Sequence, residues 1–378
     1  MSTTRTPASE LPHRWSLAHN FLAGITAGDW WRLLRENRFA VDACYWHRAA
    51  FVTAASVLNS AHRWREERRY GEAAAAVEVP PPLFVIGHWR SGTTHLHNLL
   101  ALDTDQFAFP NTYQVVNPHT FLTTESVNSR LFAWMVPDRR PMDAMRLSFA
   151  APQEDEFAPC LMALRSPYLG ITFPRRDDHY GRCLSFRGVP PDEVAAWRSA
   201  FYQFLQKLTL KYQRPLVLKS PPHTARIRLL LDLFPGARFV HIHRHPLDVF
   251  QSFRHYFGTA AWHTYLQRPD VEAIDDRILQ RYTELHDAFF DERPLIPPGQ
   301  FHEMRFDDLE RDPIGQVQQV YAALGLDGFD RVQPKLEREV AALAGYQKNT
   351  FPPLDRTTRD RVIEAWHRSF DVWQYPTA

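Results

Sequence analysis

The sequence predicts an α/β fold: a P-loop-like parallel β-sheet flanked by helices, with a helical N-terminal extension. Three observations lead to this prediction. Short apolar runs typical of strands alternate with segments of helical periodicity, which indicates βαβ units. One of these runs passes through a glycine-containing loop into a helix. Prolines at 80–82 separate this part of the chain from a helical beginning, so we expect the extension over residues 1–80 and the α/β domain over 81–378.

The composition is that of an ordinary globular protein. Of 378 residues, 44% are hydrophobic and 23% are charged, which excludes a disordered or collagen-like chain. The net charge of +1 provides no overall attraction to nucleic acid, so we expect no nucleic-acid partner. Three cysteines, none of them in a CxxC pair, form no disulfide framework and favour a cytoplasmic location. The sequence shows no signal peptide and no apolar run of about 18 residues that would span a membrane.

The N-terminal extension contains two segments that predict helices. Trp30, Trp31, Leu33 and Leu34 form an apolar cluster, and residues 47–70 combine small apolar side chains with a basic end. Basic amphipathic helices bind membrane surfaces, whereas many helices of similar composition pack on a protein core. Two interpretations are therefore open for these helices: packing against the core, or peripheral contact with a membrane.

The elements of the α/β domain follow one another after the prolines. We expect strands over residues 83–87, 214–219 and 238–243, because each run is short, apolar and bounded by turn-forming or polar residues. Helical spacing of apolar residues predicts helices from Thr93, over 224–234 and from Pro246. Residues 105–210 are rich in proline and aromatic residues, so we expect loops and helices that surround a site.

The loop from Gly87 to Thr94 (GHWRSGTT) lies between a predicted strand and a predicted helix. At such a position, backbone N–H groups and the helix N-terminus together bind an anion. The spacing of Gly87 and Gly92 is that of the Walker A pattern, but Thr93 occupies the place of its lysine. Without that lysine the loop lacks the contact to β- and γ-phosphates on which nucleoside triphosphate chemistry depends. Arg90 supplies a positive charge inside the loop, so the sequence predicts a different anion as ligand.

Three blocks of the sequence resemble the PAPS-dependent sulfotransferases, whose sulfuryl donor is 3′-phosphoadenosine 5′-phosphosulfate (PAPS). Residues 82–94 are similar to the family's 5′-phosphosulfate loop, and residues 218–223 with 239–252 are similar to its 3′-phosphate segment. Residues 301–309 resemble the acidic segment that follows. The resemblance implies a P-loop-like fold and transfer of a sulfuryl group from PAPS to a hydroxyl or amine acceptor, with release of 3′-phosphoadenosine 5′-phosphate (PAP).

The resemblance also implies which residues bind PAPS. The 5′-phosphosulfate would be surrounded by Arg90, Ser91, Gly92, Thr93 and Thr94. The 3′-phosphate would be bound by Arg244, at the end of a strand, and by Ser252, eight residues later in the next helix. Lys348 lies in a segment that resembles the loop closing over the nucleotide, where it would reach a phosphate.

The expected reaction is an in-line displacement in which negative charge builds on the leaving oxygen, so positive groups near that oxygen should matter most. Arg90 and Lys219 are our candidates for this role. Lys219 ends a short apolar strand, where packing does not explain a lysine. The scheme requires no metal, and His241 and His243, separated by one residue, are interpreted as core residues because no third ligand accompanies them.

The general base is predicted among Glu154, His223 and His119, because glutamate and histidine side chains can accept the acceptor's proton. Gln114 stands where some relatives of the family carry a glutamate, and an amide cannot serve as a base. We prefer Glu154 and place His223 next. The acids at 154–156 also fit the N-terminus of a helix, where the helix dipole stabilises negative charge.

Two alternatives to a sulfotransferase are open: a P-loop-type kinase and a catalytically idle nucleotide-binding protein. The kinase is disfavoured by Thr93 and by the lack of an acidic residue on strand 238–243 that would hold Mg²⁺. The acceptor is predicted to be a small molecule, apolar or lipid-like, since aromatic residues are abundant in the middle region and ligand pockets are mostly apolar. The same aromatic residues also fit an ordinary core.

Overall fold

A parallel β-sheet forms the centre of this computed structural model, which describes residues 11–17, 20–131, 148–343, 345 and 349–377. Its strands are β1 (Leu83–Ile86), β2 (Val217–Lys219), β3 (Arg238–His243) and β4 (Phe301–Arg305). They are hydrogen-bonded in the order β2-β1-β3-β4, and every neighbouring pair is parallel. The predicted α/β class with a parallel sheet is thereby confirmed.

Helices surround the sheet and account for most of the remaining described chain. In chain order they are α1 (Ala27–Glu36), α2 (Trp46–Ala75), α3 (Thr93–Leu100), α4 (Thr112–Val116), α5 (Phe121–Leu131), α6 (Phe157–Ala163), α7 (Tyr168–Thr172), α8 (Asp177–Gly181), α9 (Pro191–Tyr212), α10 (Ile227–Leu233), α11 (Pro246–Gly258), α12 (Ile274–Glu292), α13 (Phe306–Arg311), α14 (Pro313–Leu324), α15 (Phe329–Leu343), α16 (Arg356–Ala365) and α17 (His367–Trp373). Two short 3-10 turns also matter below, Phe21–Gly24 and Pro221–Ala225.

The predicted element boundaries agree with the structure except around β2. The strand expected over 214–219 is regular only from Val217, since Pro215 has no N–H to donate to a sheet. The helix expected over 224–234 begins at Ile227, because the two prolines after Ser220 start a 3-10 turn instead. Each of these boundaries is shifted by only three residues. The shifts nevertheless determine the directions of the polar side chains of residues 219–226.

The two faces of the sheet are covered by separate hydrophobic cores, because successive strand residues point to opposite sides. Phe84, Ile86 and Phe239 belong to the first core, which includes α6, α9, α11 and α12. The second core lies beneath α3, α13, α14 and α15, and it contains Leu83, Val85, Val217, Val240, Ile242, Met304, Leu309, Val317, Val320 and Tyr321. With both faces covered, functional groups are left to the strand ends.

The N-terminal helices pack on the first core. Trp30 is buried and its Nε1 donates to Thr53 Oγ1 of α2 at 2.9 Å. Buried Arg48 of α2 donates to the carbonyl oxygens of Trp262 and Tyr265, both at 2.9 Å. Core packing, one of the two interpretations of these helices, is therefore observed, while the division of the chain at residue 80 stays a prediction. No helix in the described part of the chain is long and apolar enough to cross a membrane.

Several histidines are buried in the uncharged form. Burial lowers the pKa of His88, His97, His119 and His243 to about 3 in each case. His243, for example, stacks on Trp373 with ring centroids 4.5 Å apart, and its Nδ1 lies 2.9 Å from Tyr375 Oη. In the unfolded chain these rings would have the ordinary pKa of about 6.5.

Stability is expected to fall as the pH drops below about 6.5. Between a folded pKa of about 3 and an unfolded pKa of about 6.5, only the unfolded chain binds a proton at each ring, so acid favours unfolding. Each of the four histidines should lower the free energy of unfolding by about 1 kcal/mol between pH 7.5 and 5.5. Urea unfolding at the two pH values measures this. His243→Gln should weaken the dependence and exposed His367→Gln should not; equal stability at both pH values would contradict the assignment.

Candidate active site

The loop between β1 and α3 adopts a conformation that its sequence makes possible. Gly87 has φ of +146° and Gly92 has φ of +99°, backbone conformations that residues with side chains rarely adopt. A Cβ atom on Gly87 would lie 2.4 Å from Ile242 O, and one on Gly92 would lie 2.3 Å from the Phe306 ring. Arg90 itself has φ of +71°, which costs about 1–3 kcal/mol for a residue with a side chain. Strain of this kind is typical of functional loops.

The loop leads directly into the N-terminus of α3, where the first amides have no carbonyl partner within the helix. Thr93 and Thr94 are the first two residues of the helix and Gly92 precedes it. Ser91 Oγ donates to His88 O at 2.8 Å, so this hydroxyl holds the loop together. The arrangement fits the binding of an anion by backbone N–H groups at the helix N-terminus.

The residues predicted to bind a second phosphate lie at the same edge of the sheet. Arg244 follows β3 directly, and Ser252 is buried in α11. Arg90 Nε donates to Ser252 Oγ at 2.9 Å, which joins the loop to α11. The Arg244 guanidinium lies 4.7 Å from the centroid of the Phe306 ring, the ring that covers Gly92. The structure thus brings the two predicted anion-binding groups side by side.

Lys219 lies between the loop and Glu154. It ends β2 with only 1% of its side chain exposed, and its Nζ donates to Glu154 Oε1 at 2.8 Å and to Thr94 Oγ1 at 3.4 Å. The other Glu154 oxygen accepts a hydrogen bond from the Tyr168 hydroxyl. Burial, together with the Glu154 carboxylate, raises the pKa of Tyr168 well above its usual value, so this phenol keeps its proton. Glu154 is therefore held on both oxygens.

The acids at 154–156 each pair with a basic side chain from residues 219–226. Glu156 accepts from Arg226 at 2.7 and 3.0 Å, and both side chains are completely buried. Asp155 Oδ2 lies 2.5 Å from His223 Nε2, again with both side chains completely buried. Glu154, paired with Lys219, retains 12% exposure and is the acid of the three that a ligand can reach. These ion pairs anchor the segment before α6 against the segment after β2.

Two of the predicted catalytic residues are buried. His223 is fully buried, where Phe84, Phe201 and Asp155 surround its ring. His119 lies among the helices, with its Nε2 3.7 Å from Asp29 Oδ2. Burial, together with the positive charges of Arg63 and Lys207, lowers the pKa of His119 to about 3. The burial of both histidines favours Glu154 among the three candidate bases, and the assignment of the base stays a prediction.

The remaining predicted residues are Lys348 and the histidine pair of β3. Lys348 falls outside the described residues. His241 and His243 stack on one another with centroids 6.0 Å apart inside the core, and no group of metal ligands occurs in the described part of the chain. Sequence reasoning missed Tyr168 and Phe306, since neither is close in sequence to the residue that it supports.

Comparison with known proteins identifies the family. A profile of the sulfotransferase family matches residues 81–331. Among curated proteins, omega-hydroxy-beta-dihydromenaquinone-9 sulfotransferase Stf3 of Mycobacterium tuberculosis and that of Mycobacterium bovis are each 37% identical to this chain over 353 residues. The alignment covers 93% of this chain and 90% of each relative. The chain belongs to the sulfotransferase family.

Solved sulfotransferases share the fold. STF9 of Mycobacterium avium superposes with a TM-score of 0.63 at 18% identity, covering 92% of this chain and 96% of that one. STF1 of Mycobacterium tuberculosis gives a TM-score of 0.57 at 19% identity, with coverages of 90% and 93%. The predicted activity is confirmed at the level of the family: this protein is a sulfotransferase, and the kinase alternative is excluded.

Replacing Glu156 by Gln should destabilise this sulfotransferase by about 3–5 kcal/mol, because the buried guanidinium of Arg226 would lose its counter-charge. Urea unfolding at pH 7.5 measures the loss. Asp360→Asn is the matched control, since its partner Arg356 is 96% exposed and such pairs contribute about 0–1 kcal/mol. A loss below about 1 kcal/mol for Glu156→Gln would show that the buried pair is not essential.

Proposed function

We propose that this sulfotransferase takes its sulfuryl group from PAPS and transfers it to a hydroxyl group on an apolar molecule. One observation carries the choice of donor: the loop of residues 90–94, Arg244 and Ser252 meet at the carboxyl edge of the sheet. Two adjoining anion sites suit a nucleotide with a 5′-phosphosulfate and a separate 3′-phosphate. The donor set fits, because arginine, hydroxyl and helix N-terminal groups all bind phosphate oxygens.

The proposed roles of the residues follow from their positions. When bound, PAPS supplies the sulfuryl group, and PAP leaves with the electron pair of the broken S–O bond. Lys219 lies beside Thr94 of the loop, where its ammonium group stabilises negative charge on the leaving oxygen. Glu154 accepts the proton of the acceptor hydroxyl as the new O–S bond forms, since Asp155 and Glu156 are completely buried.

Tyr168 is proposed to position Glu154. Its hydroxyl donates to one oxygen of Glu154 while Lys219 holds the other, so the carboxylate has a fixed orientation beside the loop. The phenol keeps its proton because burial and Glu154 raise its pKa, and therefore it acts as a donor throughout. A rigid carboxylate needs less reorganisation to meet an acceptor hydroxyl.

The choice of an apolar acceptor is supported by a row of aromatic side chains next to Glu154. Trp89 of the loop stacks on Phe253 at 5.7 Å and lies 6.2 Å from Tyr168. Phe157 continues the row at 4.9 Å from Tyr168, and Phe21 follows at 5.3 Å from Phe157. The relatives named Stf3 are designated as acting on omega-hydroxy-beta-dihydromenaquinone-9, a hydroxylated apolar molecule. The proposed acceptor class is a hydroxyl attached to a long apolar chain.

A cytoplasmic location stays a prediction from the low cysteine count. An enzyme of that location would meet an apolar, chain-like acceptor at the surface of a lipid bilayer, because such molecules partition out of water. Peripheral membrane contact through the N-terminal helices is therefore part of the proposal.

Variants should separate donor binding from turnover. PAP at about 100 times its dissociation constant adds about 2.7 kcal/mol to the free energy of unfolding, which thermal unfolding detects as a shift of a few degrees. Arg244→Ala should remove most of this shift. Lys219→Met and Glu154→Gln should keep it while lowering kcat by about 100-fold or more, because they act on the leaving oxygen and on the acceptor's proton.

Arg238→Ala is the matched control for Arg244→Ala, since Arg238 begins the same strand at its opposite end. It should leave both PAP binding and turnover unchanged. Stabilisation by ATP with Mg²⁺ and not by PAP would contradict the choice of donor. Full PAP binding without turnover of any acceptor would favour an idle nucleotide-binding protein.

The acceptor class predicts a dependence on chain length. For a series of primary alcohols, kcat/KM should rise by about fourfold per added methylene, the value expected when each CH₂ is buried at about 0.8 kcal/mol. Phe157→Ala should weaken this dependence, whereas Phe39→Ala, an exposed phenylalanine of the N-terminal region, should leave it intact. Sugars that react as efficiently as the long alcohols would contradict an apolar acceptor site.

A further inference from the structure

Helix α2 has an apolar face that no described part of the chain covers. Its buried side is occupied by residues such as Val52 and Ser56, which pack towards the core. On its outer side, Trp46 is 64% exposed, Val57 60% and Trp64 61%. We call this surface the tryptophan stripe; it consists of Trp46, Ala50, Ala54, Val57, Ala61 and Trp64, all exposed.

The tryptophan stripe is straight and long. Trp46 and Trp64 are 18 residues apart, which is five turns at 3.6 residues per turn, so they point in the same direction. At 1.5 Å per residue they are about 27 Å apart along the helix. Leu58, 66% exposed, widens the surface beside Val57. Exposed apolar surfaces that are this continuous indicate a binding partner.

The charge at the end of the tryptophan stripe is net positive. No acidic residue occurs between Ala43 and Arg65, and beyond Trp64 the exposed charged residues of α2 are three arginines and two glutamates (Arg65, Arg68, Arg69, Glu67 and Glu72). Glu67 is paired with Arg63. The Arg68 guanidinium lies 4.7 Å from the centroid of the Trp64 ring. Tryptophan beside arginine is the combination that lies at the boundary between lipid headgroups and acyl chains.

We propose that the tryptophan stripe of α2 binds the surface of an anionic lipid bilayer. This inference rests on the proposed function, because an apolar acceptor resides in the membrane. A second copy of the chain is a poorer occupant, because the exposed arginines at the end of the stripe outnumber the exposed glutamates and would repel their copies, whereas lipid phosphates attract them. The helix lies on the membrane rather than across it.

The same helix is connected to the proposed acceptor site. Asn59 of α2 donates through Nδ2 to Ala23 O at 2.7 Å and to Ile25 O at 3.0 Å, which holds the 3-10 turn Phe21–Gly24 against it. Phe21 of this turn, 5% exposed, is the last ring of the aromatic row that leads through Phe157 to Tyr168. Asn59 is 13 residues after Trp46, which places it on the opposite side of α2 from the tryptophan stripe. Membrane binding by α2 would therefore leave about one helix diameter, 10–12 Å, between the lipid and this turn.

Vesicle flotation with the full chain tests this proposal directly. We expect the protein to float with vesicles rich in phosphatidylglycerol and to bind pure phosphatidylcholine vesicles less well, because Arg65 and Arg68 need lipid anions. The double variant Trp46→Gln/Trp64→Gln should lower the partition coefficient by about tenfold or more. Arg65→Gln/Arg68→Gln should remove the preference for anionic lipid. Val372→Gln, an exposed apolar residue of α17, is the matched control and should float like the unmodified protein.

The outcomes distinguish this proposal from the proposed function. The tryptophan double variant should keep its thermal shift with PAP and its turnover of a short soluble alcohol, but lose turnover of a long alcohol embedded in vesicles. Equal flotation of the double variant and the unmodified protein would overturn the proposal, as would failure of the unmodified protein to float. A dimer that dissociates in the double variant would instead identify a second copy as the occupant. If PAP did not shift the unfolding temperature, the assignment of PAPS as donor would be wrong. The flotation result would still test membrane binding independently.

Discussion

The pairing of consecutive carboxylates with basic side chains from one short segment is the constraint on which the rest of this structure depends. Burying a charge is costly unless an opposite charge accompanies it, so the segment before α6 and the segment after β2 have to be built together. The two fully buried pairs fix this junction, and the third pair presents its carboxylate to the loop. The pairs are Glu154 with Lys219, Asp155 with His223, and Glu156 with Arg226.

Local patterns in the sequence were sufficient to predict three of the four strands and the loop between β1 and α3. The strand over 238–243 is a short apolar run, and the glycines of the loop stand at fixed spacing, so both are visible without tertiary information. The neighbourhood of Arg90, Arg244 and Ser252 also follows, because parallel strands end at one edge of a sheet.

The sequence leaves the general base open among three residues, with Glu154 preferred, and the base stays a prediction. Glu154, His223 and His119 are chemically suitable alike, and only burial separates them. Burial depends on contacts between residues far apart in the chain, such as the 65 positions between Glu154 and Lys219. Tyr168 was missed for the same reason, since nothing in its own sequence neighbourhood marks it as the donor to a carboxylate.

The N-terminal helices show that two interpretations treated as alternatives need not exclude each other. Helix α2 was expected either to pack on the core or to contact a membrane, and periodicity could not decide between the two. The structure shows Arg48 and Val52 on the buried side and the tryptophan stripe on the other. A helix with two apolar faces has a weak overall periodicity, because each face cancels the signal of the other.

If the loop and Arg244 bind the donor as proposed, the Phe306 ring gives the second core an influence on that binding. It covers Gly92 of the loop, lies against the Arg244 guanidinium and packs on the second core beneath α13, α14 and α15. Loosening that core, at positions remote from any reacting atom, would shift the ring and with it the wall shared by the two anion sites. Mutations in the second core would therefore be measured as changes in donor affinity. This core is a part of the protein from which the donor affinity can be changed at a distance.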